Sequence, residues 1–278
     1  MNELALEDFN GTLIGVSRIR NDEKRGFFAD DCVRFMQGMA ANTVDLTVTL
    51  PPYDNLRDYK GYKFDFETIA GELYRITKKG GVVVWVVSDK ISGGRSLTSF
   101  EQGVFFRSVG FNMHDVMIYQ KKNTPFMRSN AYTNCYEFMF ILSKGSPAVF
   151  NPIKEKTVRH GEEMVVCNKK ADGVNNKVKA TLRKEKTKTN VWRYAVGLDG
   201  TTNDKIAFQH PAIFPEKLAE DHVLSWTNKG ALVFDPMCGS GTTGKMAHKH
   251  GREHIGVDIS DHYIKIAKAR LKDYKNAR

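Results

Sequence analysis

A glycine-rich turn carries the strongest chemical signal in this sequence. An apolar run ends at Asp235, small residues follow through Gly239, Ser240 and Gly241, and a helical pattern begins near Thr242. Small residues let a ligand approach the backbone closely, and the first amide groups of a helix have no partners within the helix. We therefore interpret the segment as a cofactor-binding loop; an ordinary tight turn is the alternative for its glycines taken alone.

A second acidic residue stands where such a loop would need it. Asp258 ends the next apolar run of the sequence. In an open α/β sheet, ligands bind outside the carboxyl ends of the strands. There Asp258 can accept hydrogen bonds from both hydroxyls of a ribose, and Asp235 can face the positive charge of an amino-acid-like group. These roles suit S-adenosylmethionine better than a phosphate-rich nucleotide.

A proline-rich turn forms the second constellation. Leu50, Pro51, Pro52 and Tyr53 follow a run of mainly apolar and β-branched residues. Prolines fix the backbone, so that their carbonyl groups become rigid acceptors for an exocyclic amino group. The tyrosine could stack on a flat base that has been flipped out of a duplex. A turn that ends a strand and buries its tyrosine in the core is the alternative for this motif taken alone.

Both turns need strands and helices to hold them, and the hydrophobic pattern predicts an alternating α/β sheet. The predicted strands cover residues 44–49, 82–87, 115–120, 136–142, 231–234 and 254–257. The predicted helices cover residues 64–77, 100–109, 215–226, 242–250 and 261–271. Residues 82–87 are apolar at every position, which is typical of a central strand that is covered on both faces. We expect Lys78, Lys79, Gly80 and Gly81 to close the helix before that strand.

The positive charge of the chain is concentrated in one segment. The chain contains 42 Lys and Arg residues against 32 Asp and Glu residues, a net charge of +10. Residues 151–208 contain 13 of the former and 7 of the latter, and their apolar runs are short. The segment is interpreted either as a solvated surface insertion or as a module that faces nucleic acid, where Trp192 and Tyr194 could stack or contact phosphate. Its candidate DNA contacts are Lys177, Lys179, Arg183, Lys184, Lys186, Lys188 and Arg193.

Several classes of protein find little support in the sequence. The four cysteines form no C-x-x-C pair, and the histidines show no spacing typical of a metal site, so we expect no metal. The chain has no apolar stretch of about 20 residues, the length that a membrane crossing needs. A reducing cytoplasm is the simplest location for scattered cysteines. We therefore expect a cytoplasmic protein without a membrane partner.

Together, the two turns resemble motifs of the amino-group DNA methyltransferases that depend on S-adenosylmethionine. The catalytic turn precedes the cofactor loop, which is similar to the permuted motif order of the beta class. The resemblance covers about residues 26–149 and 209–275. It implies a Rossmann-like mixed sheet of seven strands with helices on both faces. It further implies a catalytic half at 1–149, a basic inserted target-recognition region at 150–208 and a cofactor-binding half at 209–278.

The resemblance also assigns individual residues. The catalytic motif would be Leu50, Pro51, Pro52 and Tyr53. The cofactor site would contain Asp31, His210, Phe214, Asp235, Pro236, Cys238, Gly239, Ser240, Gly241, Thr242 and Asp258, with Asp31 toward the adenine. The implied partner is double-stranded DNA, and a homodimer and a cognate restriction endonuclease are partners that the resemblance allows. A bacterial or phage-encoded protein associated with the nucleoid would follow.

One residue departs from the family pattern. The family usually has Asp, Asn or Ser before Pro-Pro-Tyr, whereas this chain has Leu50. Leucine cannot accept a hydrogen bond from the target amino group, and loss of one preorganised hydrogen bond can lower a rate about 10²- to 10³-fold. Cytosine N4 is favoured as the target and adenine N6 stays open. The alternatives are an RNA or protein amide methyltransferase, and a catalytically impaired DNA-binding protein that keeps the cofactor site.

Overall fold

A mixed β-sheet organises the chain. The computed structural model describes residues 21–52, 64–123, 129, 131–169, 173, 175–198 and 200–276. Its strands are β1 Gly26–Ala29, β2 Val44–Thr49, β3 Thr77–Val87, β4 Asn112–Lys121, β5 Tyr136–Ser143, β6 Lys154–Lys156, β7 Glu163–Lys169, β8 Asn175–Thr181, β9 Glu185–Thr187, β10 Val191–Tyr194, β11 Leu232–Asp235 and β12 Glu253–Asp258. Its α-helices are α1 Cys32–Gln37, α2 Phe66–Ile76, α3 Thr98–Val109, α4 Glu216–Trp226, α5 Thr242–Lys249 and α6 Asp261–Asn276.

The main sheet confirms the predicted α/β class. Within the described part of the chain it has eight strands in the order β1-β12-β11-β2-β3-β5-β4-β10. Strand β5 is antiparallel to both of its neighbours, and the other pairs are parallel. The resemblance implied seven strands. The eighth is β10, which comes from the basic segment and pairs with the end of β4.

Strand β3 shows why a run of apolar residues was needed. Val83, Trp85 and Val87 pack in one core with side chains of α1, α2 and α3. Val82, Val84 and Val86 pack in a second core with side chains of α4 and α5. Successive side chains of a strand point to opposite faces, so a strand between two helical layers must be apolar throughout. The predicted helices on both faces are confirmed.

One predicted boundary was wrong. Lys78, Lys79, Gly80 and Gly81 do not form a closing turn, because β3 already begins at Thr77. The Thr77 backbone amide and its hydroxyl both bond to the Leu73 carbonyl, and this contact ends α2 without a glycine turn. Lys78 instead lies on the strand, where its Nζ atom is 2.7 Å from Asp45 Oδ1.

The basic segment forms two ribbons and then joins the sheet. Strand β6 pairs with β9, and β7 pairs with β8, both antiparallel. The expectation that Trp192 and Tyr194 contact nucleic acid was wrong, because both side chains are buried in the core beside α4. The Tyr194 hydroxyl donates to Asp221 Oδ2 at 2.8 Å. Within the described part of the basic segment, the two ribbons therefore lie outside the main sheet, whereas β10 belongs to it.

The direction in which successive strands are added to the sheet changes between two neighbouring central strands, β2 and β11. From β2 the chain passes through α2 to β3 on one side, and from β11 it passes through α5 to β12 on the other. Helices α2 and α5 lie on opposite faces of the sheet. Such a switch point leaves a crevice at the carboxyl ends of the two strands, where ligands of α/β proteins bind. The two turns singled out in the sequence follow β2 and β11.

No helix among the described residues is long and apolar enough to span a membrane.

Candidate active site

Two hydrogen bonds join the end of β2 to the end of β11 and to α5, the helix that follows the glycine loop. The buried Thr49 hydroxyl donates to Asp235 Oδ1 at 2.8 Å. The Thr243 hydroxyl, in the first turn of α5, donates to the Val48 carbonyl at 3.0 Å. Buried hydrogen bonds of this kind are costly to break, because each leaves a polar group without a partner. The proline turn and the glycine loop are therefore held in one fixed arrangement.

A cavity of about 190 Å³, here called the first cavity, lies at this junction. Its described lining includes the turn residues Leu50, Pro51 and Pro52. Predicted cofactor residues that line it are His210, Phe214, Cys238, Gly239, Ser240, Thr242 and Asp258. Ala212, Ile213, Met237 and Tyr263 complete the lining. Tyr53, the last residue of the predicted catalytic motif, lies outside the described residues.

Asp258 presents its carboxylate to the first cavity. Its Oδ2 atom accepts from the Gly239 amide at 3.0 Å, and its Oδ1 atom accepts from the Ser260 amide at 2.8 Å. Burial raises the pKa of this carboxyl, and the two amide bonds oppose that rise. The amides fix the orientation of the side chain. A carboxylate oxygen has more than one lone pair, so the group can still accept hydrogen bonds from ligand hydroxyls.

Close packing explains the glycines of the loop. A Cβ atom on Gly239 would lie 2.8 Å from His210 Nε2, and one on Gly241 would lie 2.6 Å from Ala267 Cβ. A Cβ atom on Gly244 would lie 2.7 Å from the Phe27 ring. Gly241 also has a positive φ of 78°. Gly241 does not line the first cavity; it lets the loop pack against α6 and β1.

The interpretation that the loop departs from the glycine spacing of dinucleotide-binding sites was wrong. Gly239, Gly241 and Gly244 fit G-x-G-x-x-G, and Lys245 follows them. The Lys245 Nζ atom, however, lies 2.6 Å from Asp204 Oδ2 and 2.8 Å from Glu216 Oε1. The lysine that a phosphate loop would use is thus bound within the protein, and Met246 stands where that motif needs Ser or Thr.

Arg270 on α6 donates hydrogen bonds to the glycine loop, and no sequence pattern predicted this role. Its side chain is 1% exposed, and its Nη1 atom donates to the Ser240 carbonyl at 2.7 Å. Its other nitrogens pair with Asp204 and Glu216. Burial would raise the pKa of Asp204, but the hydrogen bonds from Lys245 and Arg270 outweigh it and lower that pKa. The loop therefore rests on a buried, charge-compensated network.

Two acidic residues of the predicted cofactor site do not line the first cavity. Asp235 does not line the first cavity: it is 2% exposed, and besides Thr49 it accepts from the Met237 amide at 3.2 Å. Burial raises its pKa to about 7. Asp31 also lies off the lining, because its carboxylate accepts from the Arg34 amide at 2.9 Å and caps α1. Pro236 is buried within the loop and does not line the cavity either.

The proline turn offers a backbone acceptor and an apolar side chain. Leu50 is half-buried and packs against the core beside α4 and α5. Thr49, the polar residue before Leu50, donates its hydroxyl hydrogen to Asp235. Neither residue therefore replaces the polar side chain that the family pattern has at position 50. The Pro51 carbonyl is the acceptor that remains in the described part of the turn.

A second cavity of about 460 Å³ adjoins the first. The two share Leu50 and the segment from His210 to Phe214 apart from Pro211, which lines only the second cavity. Its far wall is formed by residues from the ends of β4 and β5 and from the segment after β10. Tyr263, on α6, closes the opposite side of the first cavity, with its ring centroid 4.2 Å from that of His210. Its position on an apolar helix face predicted only a core residue.

The predicted DNA contacts occupy different surroundings. Lys177 and Lys179 are exposed on one face of β8, and Arg193 is exposed on β10. Lys186 pairs with Glu155 at 3.1 Å. Lys188 is half-buried, with its Nζ atom 4.8 Å from the centre of the Trp192 ring, and burial lowers its pKa. Arg183 and Lys184 are exposed between β8 and β9.

Within the described residues, no group of three or more His, Cys, Asp and Glu side chains is placed to hold a metal ion.

Several known proteins are similar to this chain in sequence and in fold. A family model described as DNA methylase, N6_N4_Mtase, matches residues 44–269. The orphan methyltransferase M.BamHII of Bacillus amyloliquefaciens is 50% identical over 238 residues, which cover 84% of this chain and 90% of that protein. The cytosine-N4-specific PvuII DNA methyltransferase has a TM-score of 0.63 at 17% identity, covering 91% of this chain and 92% of its own. M1.HpyAVI in complex with SAM has a TM-score of 0.58 at 21% identity, covering 88% and 99%.

Proposed function

The chain belongs to the N6_N4_Mtase family of DNA methylases, and from that premise we propose that it transfers a methyl group from S-adenosylmethionine to an exocyclic amino group in double-stranded DNA. One observation carries the proposal: the first cavity is lined both by the proline turn after β2 and by the glycine loop and Asp258. A donor held by the loop would therefore lie beside an acceptor held by the turn.

The residues of the first cavity fit S-adenosylmethionine. Asp258 would accept the ribose hydroxyls, since its carboxylate faces the cavity and its orientation is fixed by two amides. Gly239 and Ser240 would bring the backbone close to the methionine part, with Phe214 and Tyr263 as apolar walls. When bound, S-adenosylmethionine supplies a methyl group on a positively charged sulfur. The complex of M1.HpyAVI with SAM supports this assignment.

The target is a base flipped out of the duplex, with N4 of cytosine favoured and N6 of adenine second. The Pro51 carbonyl would accept one hydrogen of the amino group and thereby direct the nitrogen lone pair. Tyr53 would stack on the base. Positioning supplies most of the acceleration in this scheme, because a well-oriented pair of reactants reacts far faster than a free pair.

Basic residues would draw the DNA to this side of the sheet. The ribbon residues Lys177 and Lys179 are exposed, and β10 leads from the basic segment directly to Val196 and Gly197 in the wall of the second cavity. The assignment of residues 150–208 to target recognition stays a prediction, as do a homodimer and a cognate endonuclease.

A transfer assay tests the proposal. The protein is incubated with methyl-labelled S-adenosylmethionine and genomic duplex DNA that lacks modified bases, and the DNA is digested to nucleosides. We expect label in N4-methylcytidine or N6-methyladenosine of the deoxy series. Label in neither nucleoside would refute the proposal, and label in added RNA or protein instead would favour an amide or RNA substrate.

Leu50 supports one second candidate, a DNA-binding protein that keeps the cofactor site but transfers methyl groups slowly. Its apolar side chain lines both cavities and offers no acceptor. Under this alternative, Leu50→Ser or Leu50→Asp should raise the transfer rate, by up to about 10²-fold for one restored hydrogen bond. If both variants are no faster than the unmodified protein, Leu50 is not the cause of low activity.

A further inference from the structure

We propose that Glu137 is the acceptor that replaces the missing polar side chain at position 50, and that it holds the target amino group where the second cavity meets the first beside Leu50. This inference rests on the proposed function, because it concerns the same transfer. It adds a substrate-binding carboxylate from a different strand, one that neither proline turn nor glycine loop contains.

The position of Glu137 in the sheet carries the first step. It lies at the start of β5, and β3 alone separates β5 from β2. Along β5, Met139 and Ile141 point into the core beside α4 and α5, and alternation places Glu137 on that same face. Leu50 packs against the same core. Glu137 and Leu50 therefore both line the second cavity, because β5 begins at the edge of the sheet where β2 ends.

The chemistry of the cavity carries the second step. Among the described residues that line it, Glu137 is the only carboxylate. Thr201, another polar residue there, already accepts from the Gly197 amide at 3.0 Å through its hydroxyl. An amino group on a flipped base has two hydrogens to donate. Glu137 and the Pro51 carbonyl would accept one each, which leaves the nitrogen lone pair directed toward the first cavity.

The charge of Glu137 carries the third step. The residue is 8% exposed, and Lys121 Nζ lies 2.7 Å from its Oε1 atom. A buried carboxylate needs a partner that compensates its charge, and Lys121 provides that partner. Tyr119 pairs directly across from Glu137 in the sheet, and burial together with Glu137 raises the pKa of its phenol. The wall thus presents a charge-compensated carboxyl group beside a neutral phenol.

The transfer balances with this residue in place. As the bond between nitrogen and the methyl carbon forms, the bond from that carbon to sulfur breaks and its electron pair stays on sulfur. The methylated nitrogen then carries one proton too many. That proton passes along the hydrogen bond to the Glu137 carboxylate, from which solvent removes it.

Glu137→Gln is the direct test, with Glu101→Gln as the matched control on the exposed surface of α3. Glutamine keeps the size of the side chain, but its single oxygen faces Lys121 and its amide cannot take the proton. We expect the transfer rate into genomic duplex DNA to fall about 10²- to 10³-fold, with unchanged calorimetric affinity for S-adenosylmethionine. A rate within about threefold of the unmodified protein would overturn the inference.

Exchanging the charges of Lys121 and Glu137 distinguishes a role of Glu137 in substrate binding from a purely structural ion pair. The double variant Lys121→Glu with Glu137→Lys keeps an ion pair in the wall but moves the carboxylate to β4. Recovery of the transfer rate in the double variant would show that only the pair matters and would overturn the inference. We expect no recovery, at a thermal unfolding midpoint close to that of the unmodified protein. Failure of the unmodified protein to label DNA would refute the proposed function itself, and the inference with it.

Discussion

Asp258 is the side chain on which cofactor affinity should depend most directly, because it faces the first cavity with a fixed carboxylate. Hydrogen bonds to charged groups contribute about 1.5 to 3 kcal/mol. We therefore expect Asp258→Ala to weaken S-adenosylmethionine binding about 10- to 100-fold, measured by isothermal titration calorimetry.

Asp261 provides the control for this change. It lies on α6 close to Asp258 in the sequence, but it is exposed and pairs with Lys265 at 3.1 Å. Asp261→Ala should leave the affinity unchanged, since an exposed pair of this kind contributes little. An unchanged affinity in the Asp258 variant, or an equal loss in both variants, would contradict the cofactor assignment.

The buried carboxyl group of Asp235 should make the stability of the folded protein depend on pH. Burial, strengthened by nearby Asp258, raises its pKa from 3.8 to about 7. Between these values the folded chain keeps a proton that the unfolded chain has released, so stability falls as pH rises toward 7. Asp235→Asn keeps an acceptor for Thr49 but cannot ionise. We expect the unmodified protein to lose stability relative to this variant between about pH 4 and about pH 7.

Urea unfolding at several pH values measures this difference, because other titrating groups are common to both proteins. The free energy of unfolding of the unmodified protein minus that of the variant should fall with rising pH and level off above the folded pKa. Parallel pH profiles would show that the carboxyl of Asp235 titrates normally in the folded chain.

At the scale of elements, the glycine loop should be limited by its packing against α6 and β1. Alanine at position 241 would have to adopt a φ of 78° and place its Cβ atom 2.6 Å from Ala267 Cβ. The left-handed backbone costs about 1 to 2 kcal/mol and overpacking about 1 to 3 kcal/mol more. We expect Gly241→Ala to lower the free energy of unfolding by about 2 to 5 kcal/mol in urea titrations.

Gly251 separates the two contributions. It also has a positive φ, 72°, but the nearest atoms to an added Cβ are 3.9 Å away on the Lys229 side chain. Gly251→Ala should therefore cost only the backbone contribution, about 1 to 2 kcal/mol. Equal losses in the two variants would mean that close packing of the loop against α6 and β1 does not constrain position 241.

The elements also show how far the sequence alone could lead. The apolar run of β3 and the strand-turn-helix pattern at Asp235 were interpretable because their signals are local. The roles of Arg270 and Glu137 were not, since their partners lie far away in the sequence or belong to other strands. Trp192 was misassigned for a related reason: in a basic segment, only the pairing of β10 with β4 shows that it is buried.

At the scale of the whole molecule, the fold joins two motifs that the chain keeps far apart. Thr49 and Asp235, which share a hydrogen bond, are 186 residues apart in the sequence. Their strands are parallel neighbours, but the next strand joins the sheet on the opposite side in each case, and a crevice opens where both turns can meet. The sheet therefore sets the adjacency of the two turns, whatever their separation along the chain.

The distribution of charge over the molecule predicts how its affinity for DNA should depend on salt concentration. Each lysine that contacts a phosphate contributes about 1 to the slope of log affinity against log salt concentration. Lys177 and Lys179 are exposed on one face of β8, in the ribbon that β8 forms with β7. We expect Lys177→Gln with Lys179→Gln to lower that slope by about 2, measured by fluorescence anisotropy with a random duplex.

Lys265 and Lys268 are the matched control, because they are exposed on α6, which packs beside β1 at the other end of the sheet. Changing both to glutamine removes the same charge. If the slope depends on net charge alone, the two double variants will shift it equally, and the ribbon has no special part in DNA binding. A shift confined to the β8 variant would place the phosphates along that ribbon.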